Sequence, residues 1–362
     1  MEHVVCELSH YAHITLIAPK GSQECCPASV ATQEISLHPL MGFFKEALFA
    51  AAGIARSKQF DLVLGGSGLV APLLWLTSKY RKVPTACFIH GLDLIVESRL
   101  YQFCFLPAIR RMDLLLVNSE ATRRIALAKG VPASRCVVLN PGVEVDGVSD
   151  SAETIQAFKV ERNLSGRRII LSVGRLVKRK GLHQFISNIL PELVRQNPDV
   201  LLVVVGAEPS ASLIQERGYL KLLESIVAEQ QLEQHVRFAG EVSDVDLRLL
   251  YQISRVLVFP LQEVKGDVEG FGMVAVEAAS FGVPTVAFNV GGVGDAVSHG
   301  RSGYLVEAGN NQDFFTCVSK ILKSDELFHS LSATAREFAS RFSWSKVGKR
   351  LQSVLAEFVL AK

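Results

Sequence analysis

Two glutamates, Glu269 and Glu277, frame the glycine-rich segment EGFGMVAVE of this sequence. Glycines directly before a helix leave the first-turn N–H groups open to an anion, because no Cβ blocks close approach and these donors lack partners within the helix. The pattern predicts a helix over residues 273–281, which Gly282 and Pro284 end. We therefore expect a negatively charged ligand at the start of this helix.

The two carboxylates also suit the recognition of hydroxyl groups. Each carboxylate can accept a pair of hydrogen bonds from a vicinal diol, such as that of a ribose or a hexose. The alternative is that Glu277 only favours the helix dipole and that Glu269 is a charge on a surface loop.

A cationic pair lies upstream, in LSVGRLVKRKGL. Arg175 follows Gly174 at the end of a predicted strand, and Lys180 comes five residues after Arg175. A guanidinium, which forms paired hydrogen bonds, and a point-charge ammonium at one strand end suit a diphosphate. The alternative is that Lys178 and Arg179 join them in a solvated basic turn, but the position at a strand end favours phosphate binding.

The elements that must position these residues alternate between β-branched runs and longer amphipathic segments, a pattern typical of parallel sheets covered by helices. One series runs from HITLIAP to RCVVLNPG, and a second from RRIILSVGRL to SGYLVEAG. The sequence therefore predicts an α/β protein with two Rossmann-like lobes, 1–147 and 166–343, a linker over 148–165 and a final helix over 344–362. Ligands of such sheets bind at the carboxyl ends of the strands, where the glycine-rich segments fall.

Whole-chain composition narrows the function classes. The 362 residues, 49% of them hydrophobic, provide apolar material for two cores. The 38 basic residues almost balance the 36 acidic ones, so bulk charge gives no reason to expect nucleic acid as a partner. The seven cysteines include no CxxC pair, which favours reduced thiols and a cytoplasmic protein.

The motifs resemble those of a known family when they are taken in order: Arg175 with Lys180, then Glu269 and Glu277 in EGFGMVAVEA, then GVPTVAFNVGG and GRSGYLV. They are similar to the retaining glycosyltransferases of family four, and the resemblance covers nearly the whole second lobe. It implies the GT-B fold, two Rossmann-like lobes with a cleft between them. It also implies a nucleotide-diphosphate sugar as donor substrate.

The resemblance assigns roles to individual residues. Arg175 and Lys180, beside Gly174, would hold the donor diphosphate. Glu277 would bind the nucleotide ribose, and Glu269 would bind hydroxyl groups of the donor sugar. Backbone N–H groups would meet the sugar or phosphate at four positions: Phe271, Gly272, Met273 and Val274.

The first lobe contributes His90, in CFIHGLDL. A lone histidine after an apolar strand is more often a satisfied core residue, but His90-Gly91 resembles the family's strand-end pair, whose histidine faces the donor sugar. His90 would then hydrogen-bond the sugar and stabilise developing charge, while the leaving diphosphate helps to deprotonate the acceptor on the same face, so that the anomeric configuration is retained. One departure is Gly294-Asp295, where the family usually has Pro-Glu, and it leaves the donor preference open.

A DxD pattern, Asp244 and Asp246, matches the motif that binds metal in another glycosyltransferase fold. Ser243, three residues before Asp246, instead predicts a helix N-cap. The sequence contains no HExxH and no convincing ligand cluster among its histidines, and the cationic pair can neutralise a diphosphate. We therefore expect no metal and no other cofactor, with the sugar nucleotide serving as a substrate.

The beginning of the chain departs from the family pattern. Family members usually open with a strand and a glycine-rich loop, whereas MEHVVCELSHYAHITLIAP resembles only the helix and strand that follow them. That first strand normally lies centrally in the sheet, and its loss would expose unpaired strand edges. The expectation is a chain truncated at its start.

Acceptor signals lie in the first lobe. Residues 41–58 are apolar with basic ends, and SRLYQFCFLPAIRR places Tyr101, Phe103 and Phe105 near Arg99. Such segments suit a peripheral membrane contact or a lipid-linked acceptor, and ordinary core helices are the alternative. The predicted function is hexosyl transfer to a glycan or lipid-linked acceptor in cell-surface polysaccharide or glycolipid biosynthesis. The alternatives are a GT-B sugar-nucleotide epimerase and a catalytically silent donor-binding subunit.

Overall fold

The computed structural model describes residues 1–145, 149–209 and 218–361. The chain forms two compact units: the first contains Met1–Gly142 and the C-terminal segment from Ser343, and the second is Val143–Phe342. In both units the strands of each sheet are parallel and helices connect them. The prediction of an α/β fold with two lobes of parallel sheet is thus confirmed.

The first unit contains short strands and mostly short helices. Its strands are β1 (Thr15–Pro19), β2 (Ala31–Ile35), β3 (Val63–Gly65), β4 (Thr85–Ile89), β5 (Leu114–Val117) and β6 (Cys136–Val138). Its helices before the second unit are α1 (Glu2–Ser9), α2 (Leu40–Ser57), α3 (Ala71–Arg81), α4 (Leu92–Ile95), α5 (Arg99–Cys104), α6 (Leu106–Ile109) and α7 (Glu120–Ala128). β1 pairs with β2, and the other strands form a separate sheet in the order β3-β4-β5-β6.

The centre of the four-stranded sheet is covered on both faces. Every residue of β4, TACFI, and of β5, LLLV, is buried, as expected for parallel strands that carry helices on either side. Ile89 lies opposite Val117 in the register. The two strands therefore end side by side, and the residues that follow them, His90 and Asn118, are neighbours at the carboxyl edge.

The second unit is built on one larger sheet. Its strands are β7 (Arg168–Val173), β8 (Val200–Val205), β9 (Val236–Gly240), β10 (Ser254–Phe259), β11 (Thr285–Phe288) and β12 (Gly303–Val306). Its helices are α8 (Ala152–Glu161), α9 (Leu182–Asn188), α10 (Leu190–Gln196), α11 (Tyr219–Glu229), α12 (Asp244–Ile253), α13 (Met273–Ser280), α14 (Val293–Ala296), α15 (Asn311–Lys323) and α16 (Asp325–Ala339).

The strand order of this sheet, β12-β11-β10-β7-β8-β9, locates a ligand site. The chain builds outward from β7 through β8 to β9, then returns to β10 on the other side of β7 and builds outward again. In open α/β sheets, ligands bind at the carboxyl ends of the strands where the order reverses. That point lies between β7 and β10, whose following loops carry the cationic pair and Glu269.

The predicted linker is largely structured. Residues 146–148 lie outside the described residues, but α8 occupies most of the remainder, and Phe158 is buried in the core of the second unit. Just before α8, the carboxylate of Asp150 accepts hydrogen bonds from Nε and Nη2 of Arg248 at 2.8 and 2.9 Å. A polar segment with a single buried aromatic resembles a linker in sequence, and here it packs on the second unit.

The last helix, α17 (Trp344–Leu360), belongs to the first unit. Its apolar residues Leu351 and Leu355 are buried in a core that includes Val4 of α1. The Trp344 ring stacks on the His3 ring, with centroids 4.7 Å apart. The two ends of the chain are thereby packed together.

Candidate functional site

The basic turn after β7 lies against the end of β10. Lys178–Lys180 form one turn of 3-10 helix, which ends at Gly181 with φ 71°. A Cβ at Gly181 would lie only 1.8 Å from the carbonyl oxygen of Pro260, so only glycine fits here. This close approach brings Lys180 to the loop that follows β10.

Lys180 forms an ion pair with Glu269. Its ammonium lies 2.9 Å from Oε2 of the carboxylate, and both side chains are mostly buried. The same ammonium lies 4.6 Å from the centroid of the Phe259 ring, a cation–π contact that suits a partly desolvated cation. The structure therefore brings together two of the residues that the sequence predicted to act on a donor.

Arg179 joins this pair. Its Nη1 donates to the same Oε2 of Glu269, and its Nε lies 2.8 Å from Oδ2 of Asp267. Arg179 is only 6% exposed, so the solvated basic turn that served as the alternative does not describe this residue. Arg175, by contrast, is exposed and forms no ion pair with any described residue, which leaves its guanidinium available to a phosphate.

Burial and charge set the ionisation of the cluster. Burial opposes the charge on Arg179, but Glu269 and Asp267 together raise its pKa above the ordinary value. Burial lowers the pKa of Lys180, and Glu269 offsets part of that effect. Burial acts against ionised Glu269 as well, yet Lys180 and Arg179 hold the pKa of its carboxyl below the usual value. Glu269 is therefore an anion at neutral pH.

The second glycine pair fixes the backbone of Glu269. The N–H of Gly292 donates to the carbonyl oxygen of Glu269 at 2.8 Å. Gly291 adopts φ 60°, and a Cβ there would lie 2.5 Å from the same oxygen. Beside this contact is a cavity of about 490 Å³, lined by Arg179, Asp267 and Glu269 among others.

Helix α13 begins at Met273, where the sequence predicted it, and Gly272 at its N-cap adopts a left-handed conformation. The first-turn N–H groups at Met273 and Val274 have no acceptor within the helix. Phe271 is buried, and its ring lies 5.6 Å from that of Phe342. The aromatic side chain thus anchors the segment, and the backbone N–H groups at the start of the helix are left to meet a ligand.

Glu277 lies on α13 and is mostly buried. The hydroxyl of Tyr251 donates a hydrogen bond to its Oε2 at 3.2 Å. Burial raises the pKa of Glu277, and the bond from Tyr251 lowers it in part. Tyr251 is 2% exposed, and its ring stacks on Phe281 with centroids 5.4 Å apart. Sequence reasoning missed Tyr251 because a tyrosine on the apolar face of an amphipathic helix resembles a core residue.

His90 lies in the first unit, at the end of β4. It is exposed, and its Nε2 lies 2.9 Å from the carbonyl oxygen of Gly66. Because a carbonyl only accepts, Nε2 carries the proton, and Nδ1 is the acceptor of the neutral ring. The neighbouring Asn118 has a buried Oδ1 that finds no partner among the described residues. Asn118 was not predicted from the sequence, and its place beside His90 is the signal that reveals it.

The DxD pattern begins a helix, as expected. Ser243 Oγ accepts a hydrogen bond from the N–H of Asp246 at 3.1 Å, and the Asp246 carboxylate lies 2.8 Å from Nη2 of Arg162. Within the described ranges, no group of three or more His, Cys, Asp or Glu side chains is placed to hold a metal ion. No described helix is long and apolar enough to cross a membrane.

Two family models match the chain, one over each of its two units. Residues 154–338, more than half of the chain, match the family of glycosyl transferases group 1, and residues 8–146 match glycosyltransferase family 4. The GDP-mannose-dependent alpha-(1-6)-phosphatidylinositol monomannoside mannosyltransferase of Mycolicibacterium smegmatis is 27% identical, over 98% of this chain and 93% of its own. The D-inositol 3-phosphate glycosyltransferase of Corynebacterium urealyticum is 28% identical, over 86% and 77%.

Solved structures share the fold. HepE of Anabaena in complex with UDP superposes with a TM-score of 0.80 at 20% identity, covering 98% of this chain and 96% of its own. A glycosyltransferase from Rickettsia africae superposes with a TM-score of 0.79 at 18% identity, covering 99% and 94%. At these identities the likeness concerns the fold alone.

Proposed function

The chain belongs to the group 1 glycosyl transferases and has their GT-B fold, and on this premise we propose that it is a retaining enzyme that transfers a hexosyl group from a nucleotide-diphosphate sugar to a glycan or lipid-linked acceptor. Glycosyl transfer follows from the family, and the finer statement is the proposal. The observation that carries it is the convergence of Lys180 and Glu269 at the carboxyl edge of the second sheet, where Glu269 lies four residues before the start of α13, the helix that carries Glu277.

Arg175 and Lys180 are assigned to the donor diphosphate. The exposed guanidinium of Arg175 follows β7, and Lys180 lies one short turn further on. Two positive charges at one strand end can neutralise the leaving diphosphate as the glycosidic bond breaks. In many enzymes a divalent cation has that role. The proposed reaction is therefore metal-independent.

Glu269 and Glu277 are assigned to the two sugars of the donor. Glu277, held by Tyr251, would accept hydrogen bonds from the ribose hydroxyls. Glu269, an anion held at both its backbone and its carboxylate, would orient the hydroxyls of the transferred hexose. The first-turn N–H groups of α13, at Met273 and Val274, would face the sugar or phosphate.

On the family resemblance, His90 of the first unit is assigned to the donor sugar. Its ring orientation is fixed by the Gly66 carbonyl. Because Nε2–H is bonded to Gly66, Nδ1 would accept a hydrogen bond from a hydroxyl of the sugar and so help to stabilise the positive charge that develops as the bond to the diphosphate lengthens. The departing diphosphate oxygen would accept the proton of the acceptor hydroxyl on the same face, so no side-chain nucleophile is required and the configuration is retained.

An exposed apolar surface of the first unit supports a lipid-linked acceptor. It consists of Leu48 and Phe49 on α2, 42% and 67% exposed, and Leu100 and Phe103 on α5, 69% and 82% exposed. The ring of Phe44 on α2 contacts that of Phe105, the residue that follows α5, with centroids 5.7 Å apart.

Basic side chains accompany this surface, namely Lys45 on α2 and Arg99 on α5. Apolar side chains beside basic ones suit the surface of an anionic membrane. The name of the M. smegmatis relative specifies a phosphatidylinositol monomannoside. We assign to this protein a peripheral contact with the cytoplasmic face of a membrane and a role in cell-surface glycan or glycolipid synthesis.

Thermal unfolding with a panel of sugar nucleotides tests the donor. A ligand that binds only the folded state stabilises it by about 2.7 kcal/mol at 100 times its dissociation constant. UDP-glucose, GDP-mannose and ADP-glucose are the first probes, followed by analysis of products with a phosphatidylinositol monomannoside as acceptor. Stabilisation together with an α-linked product supports the proposal. An epimerised donor without transfer would instead identify an epimerase, and no response to any nucleotide would contradict donor binding.

A further inference from the structure

We propose that Arg179 is a positioning residue that holds Glu269 against the donor sugar while Lys180 engages the diphosphate. The inference rests on the proposed function, because it concerns how the same site works. It adds a residue to which the family resemblance assigned no role.

The side chain of Arg179 connects two carboxylates of one loop. Its Nε lies 2.8 Å from Oδ2 of Asp267, and its Nη1 donates to Oε2 of Glu269. The side chain of Arg179 is 7% exposed, and the side chains of Asp267 and Glu269 are each 17% exposed. A planar fork can bond two acceptors at once in fixed directions, whereas an ammonium on a flexible stem cannot fix both.

The backbone of Arg179 holds the other end of the same loop. Its carbonyl oxygen accepts a hydrogen bond from the N–H of Gln262 at 2.8 Å. The loop that joins β10 to Glu269 is therefore tied to Arg179 at its beginning by the main chain and at its end by the guanidinium. The position of the Glu269 carboxylate is consequently set by one buried residue.

The sharing of one oxygen explains why two cations are present. Oε2 of Glu269 accepts from both Arg179 and Lys180. A diphosphate carries more negative charge than a carboxylate and draws the ammonium toward itself. If Lys180 were the sole partner, Glu269 would then be a buried carboxylate without a cation, and its orientation and ionisation would both be lost. Arg179 keeps Glu269 paired because Asp267 holds the guanidinium in place.

A purely structural ion pair makes a different prediction. Such a pair would contribute to the stability of the fold, and its loss would weaken the binding of all ligands of the site to a similar extent. A positioning residue for Glu269 affects only the part of the affinity and rate that depends on the transferred sugar. Comparison of a nucleoside diphosphate with its sugar nucleotide separates the two cases.

The test uses Arg179→Lys in the full chain, with Arg195→Lys, at an exposed arginine that pairs with Glu192 in the same unit, as the control. Calorimetry measures dissociation constants for UDP against UDP-glucose and for GDP against GDP-mannose, and kinetics measure kcat. For the pair that the wild type binds, Arg179→Lys should change the dissociation constant of the nucleoside diphosphate by no more than about twofold. The additional affinity of the sugar nucleotide over the nucleoside diphosphate, and kcat, should each fall by about tenfold or more. Arg195→Lys should resemble the wild type.

A double-variant cycle with Glu269→Gln measures the coupling between Arg179 and Glu269, which decides between the two cases. If Arg179 acts through Glu269, Arg179→Lys with Glu269→Gln should be no worse than Glu269→Gln alone, so the two effects are not additive. If Arg179→Lys fails to fold, Asp267→Ala, which keeps the Arg179–Glu269 pair but removes the second carboxylate that holds the guanidinium in place, is examined by the same measurements. This variant should reduce the additional affinity of the sugar nucleotide and leave the dissociation constant of the nucleoside diphosphate unchanged.

The outcomes separate the two proposals. Equal losses for diphosphate and sugar nucleotide, unchanged binding of both, or additive effects in the cycle would overturn the role of Arg179 and leave the proposed function standing. Failure of the wild-type protein to bind any nucleotide would remove the proposed function, and the role of Arg179 with it.

Discussion

The ammonium of Lys180 lies 2.9 Å from Oε2 of Glu269, although 89 residues separate them in the chain. One residue follows β7 and the other follows β10, the two strands at which the order of the sheet reverses. The fold thus joins the residue assigned to the diphosphate to the residue assigned to the transferred sugar. Because the two residues form an ion pair, a charged ligand that binds one of them changes the electrostatic environment of the other.

Lys180→Ala should abolish transfer. The substitution removes a cation from the diphosphate, and a lost charge of this kind costs roughly 100-fold or more in kcat/KM. Arg175→Ala should also weaken diphosphate binding, but it should leave the melting temperature unchanged, because Arg175 is exposed and pairs with no described residue. Steady-state kinetics and calorimetry measure both variants. Unchanged kinetics in Lys180→Ala would remove the diphosphate assignment.

Tyr251→Phe should weaken the binding of nucleotides that contain a ribose. The variant loses the bond to Glu277, so the carboxylate is less well oriented and its pKa rises further. The affinity for the nucleoside diphosphate should fall about fivefold, whereas that for its 2′,3′-dideoxy analogue should change little. Tyr304→Phe, on β12, is the control. Equal losses for the two nucleotides would show that Tyr251 does not act through the ribose.

Glu277→Gln should increase the stability of the fold at neutral pH and weaken nucleotide binding. Burial raises the pKa of Glu277 above 4.5, so the folded state binds this proton more tightly than the unfolded chain does. The carboxyl group therefore stabilises the fold least when it is ionised, and stability is lost as pH rises through the folded-state pKa. At pH 7 the uncharged Gln variant should melt at a higher temperature than the wild type and bind nucleotide more weakly.

The stability difference should vanish at acidic pH, where Glu277 is protonated in both the folded and the unfolded chain. Glu233→Gln, at an exposed position of the same unit, supplies the comparison. Calorimetric melts from pH 4 to 8 measure the effect. A lower melting temperature for Glu277→Gln at pH 7 would contradict the direction of the shift.

Phe49→Ser and Phe103→Ser should weaken binding to vesicles that contain anionic phospholipid. Each side chain is mostly exposed, so its loss should leave the melting temperature unchanged, while the apolar area available to the membrane shrinks. We expect roughly a tenfold loss of vesicle affinity per substitution. Val160→Ser, at an exposed apolar position of the second unit, is the matched control. Vesicle sedimentation that shows equal binding for all variants would exclude this surface.

Gly181→Ala should strongly destabilise the second unit, and Gly166→Ala should not. Both glycines have φ 71°, but a Cβ at Gly181 meets the Pro260 carbonyl, whereas a Cβ at Gly166 meets nothing within 4 Å. Backbone strain alone costs about 1 kcal/mol, and the clash should add several kcal/mol. Calorimetric unfolding measures the difference. Equal effects would show that the turn shifts without cost and that its contact with β10 is not needed.

The sequence predicted the parts of the structure that local patterns determine. The alternation of buried strands and helices predicted the parallel sheets, and the glycines before Met273 predicted the start of α13. Ser243 predicted the N-cap of α12, which the structure confirms. These features depend on neighbouring residues, so the pattern of a short window contains them.

Features that depend on distant residues could not be predicted in this way. Arg179 is one of three consecutive basic residues, a pattern typical of a surface, and it is buried because Asp267 and Glu269 lie opposite it. Tyr251 differs from a core tyrosine only through Glu277, 26 residues further along the chain. The convergence of Lys180 with Glu269 was expected from the family resemblance, since no local spacing contains it.

The unit in which Trp344 stacks on His3 is spectroscopically distinct from the second unit. The chain contains two tryptophans, Trp75 and Trp344, and both belong to the first unit. Indole emission therefore reports the first unit alone, while calorimetry records the heat of both. A nucleotide that binds the second unit and still shifts the fluorescence melt must stabilise the unit that carries the chromophores. An intrinsic optical signal can thus measure how strongly the two units are thermodynamically coupled, without any added label.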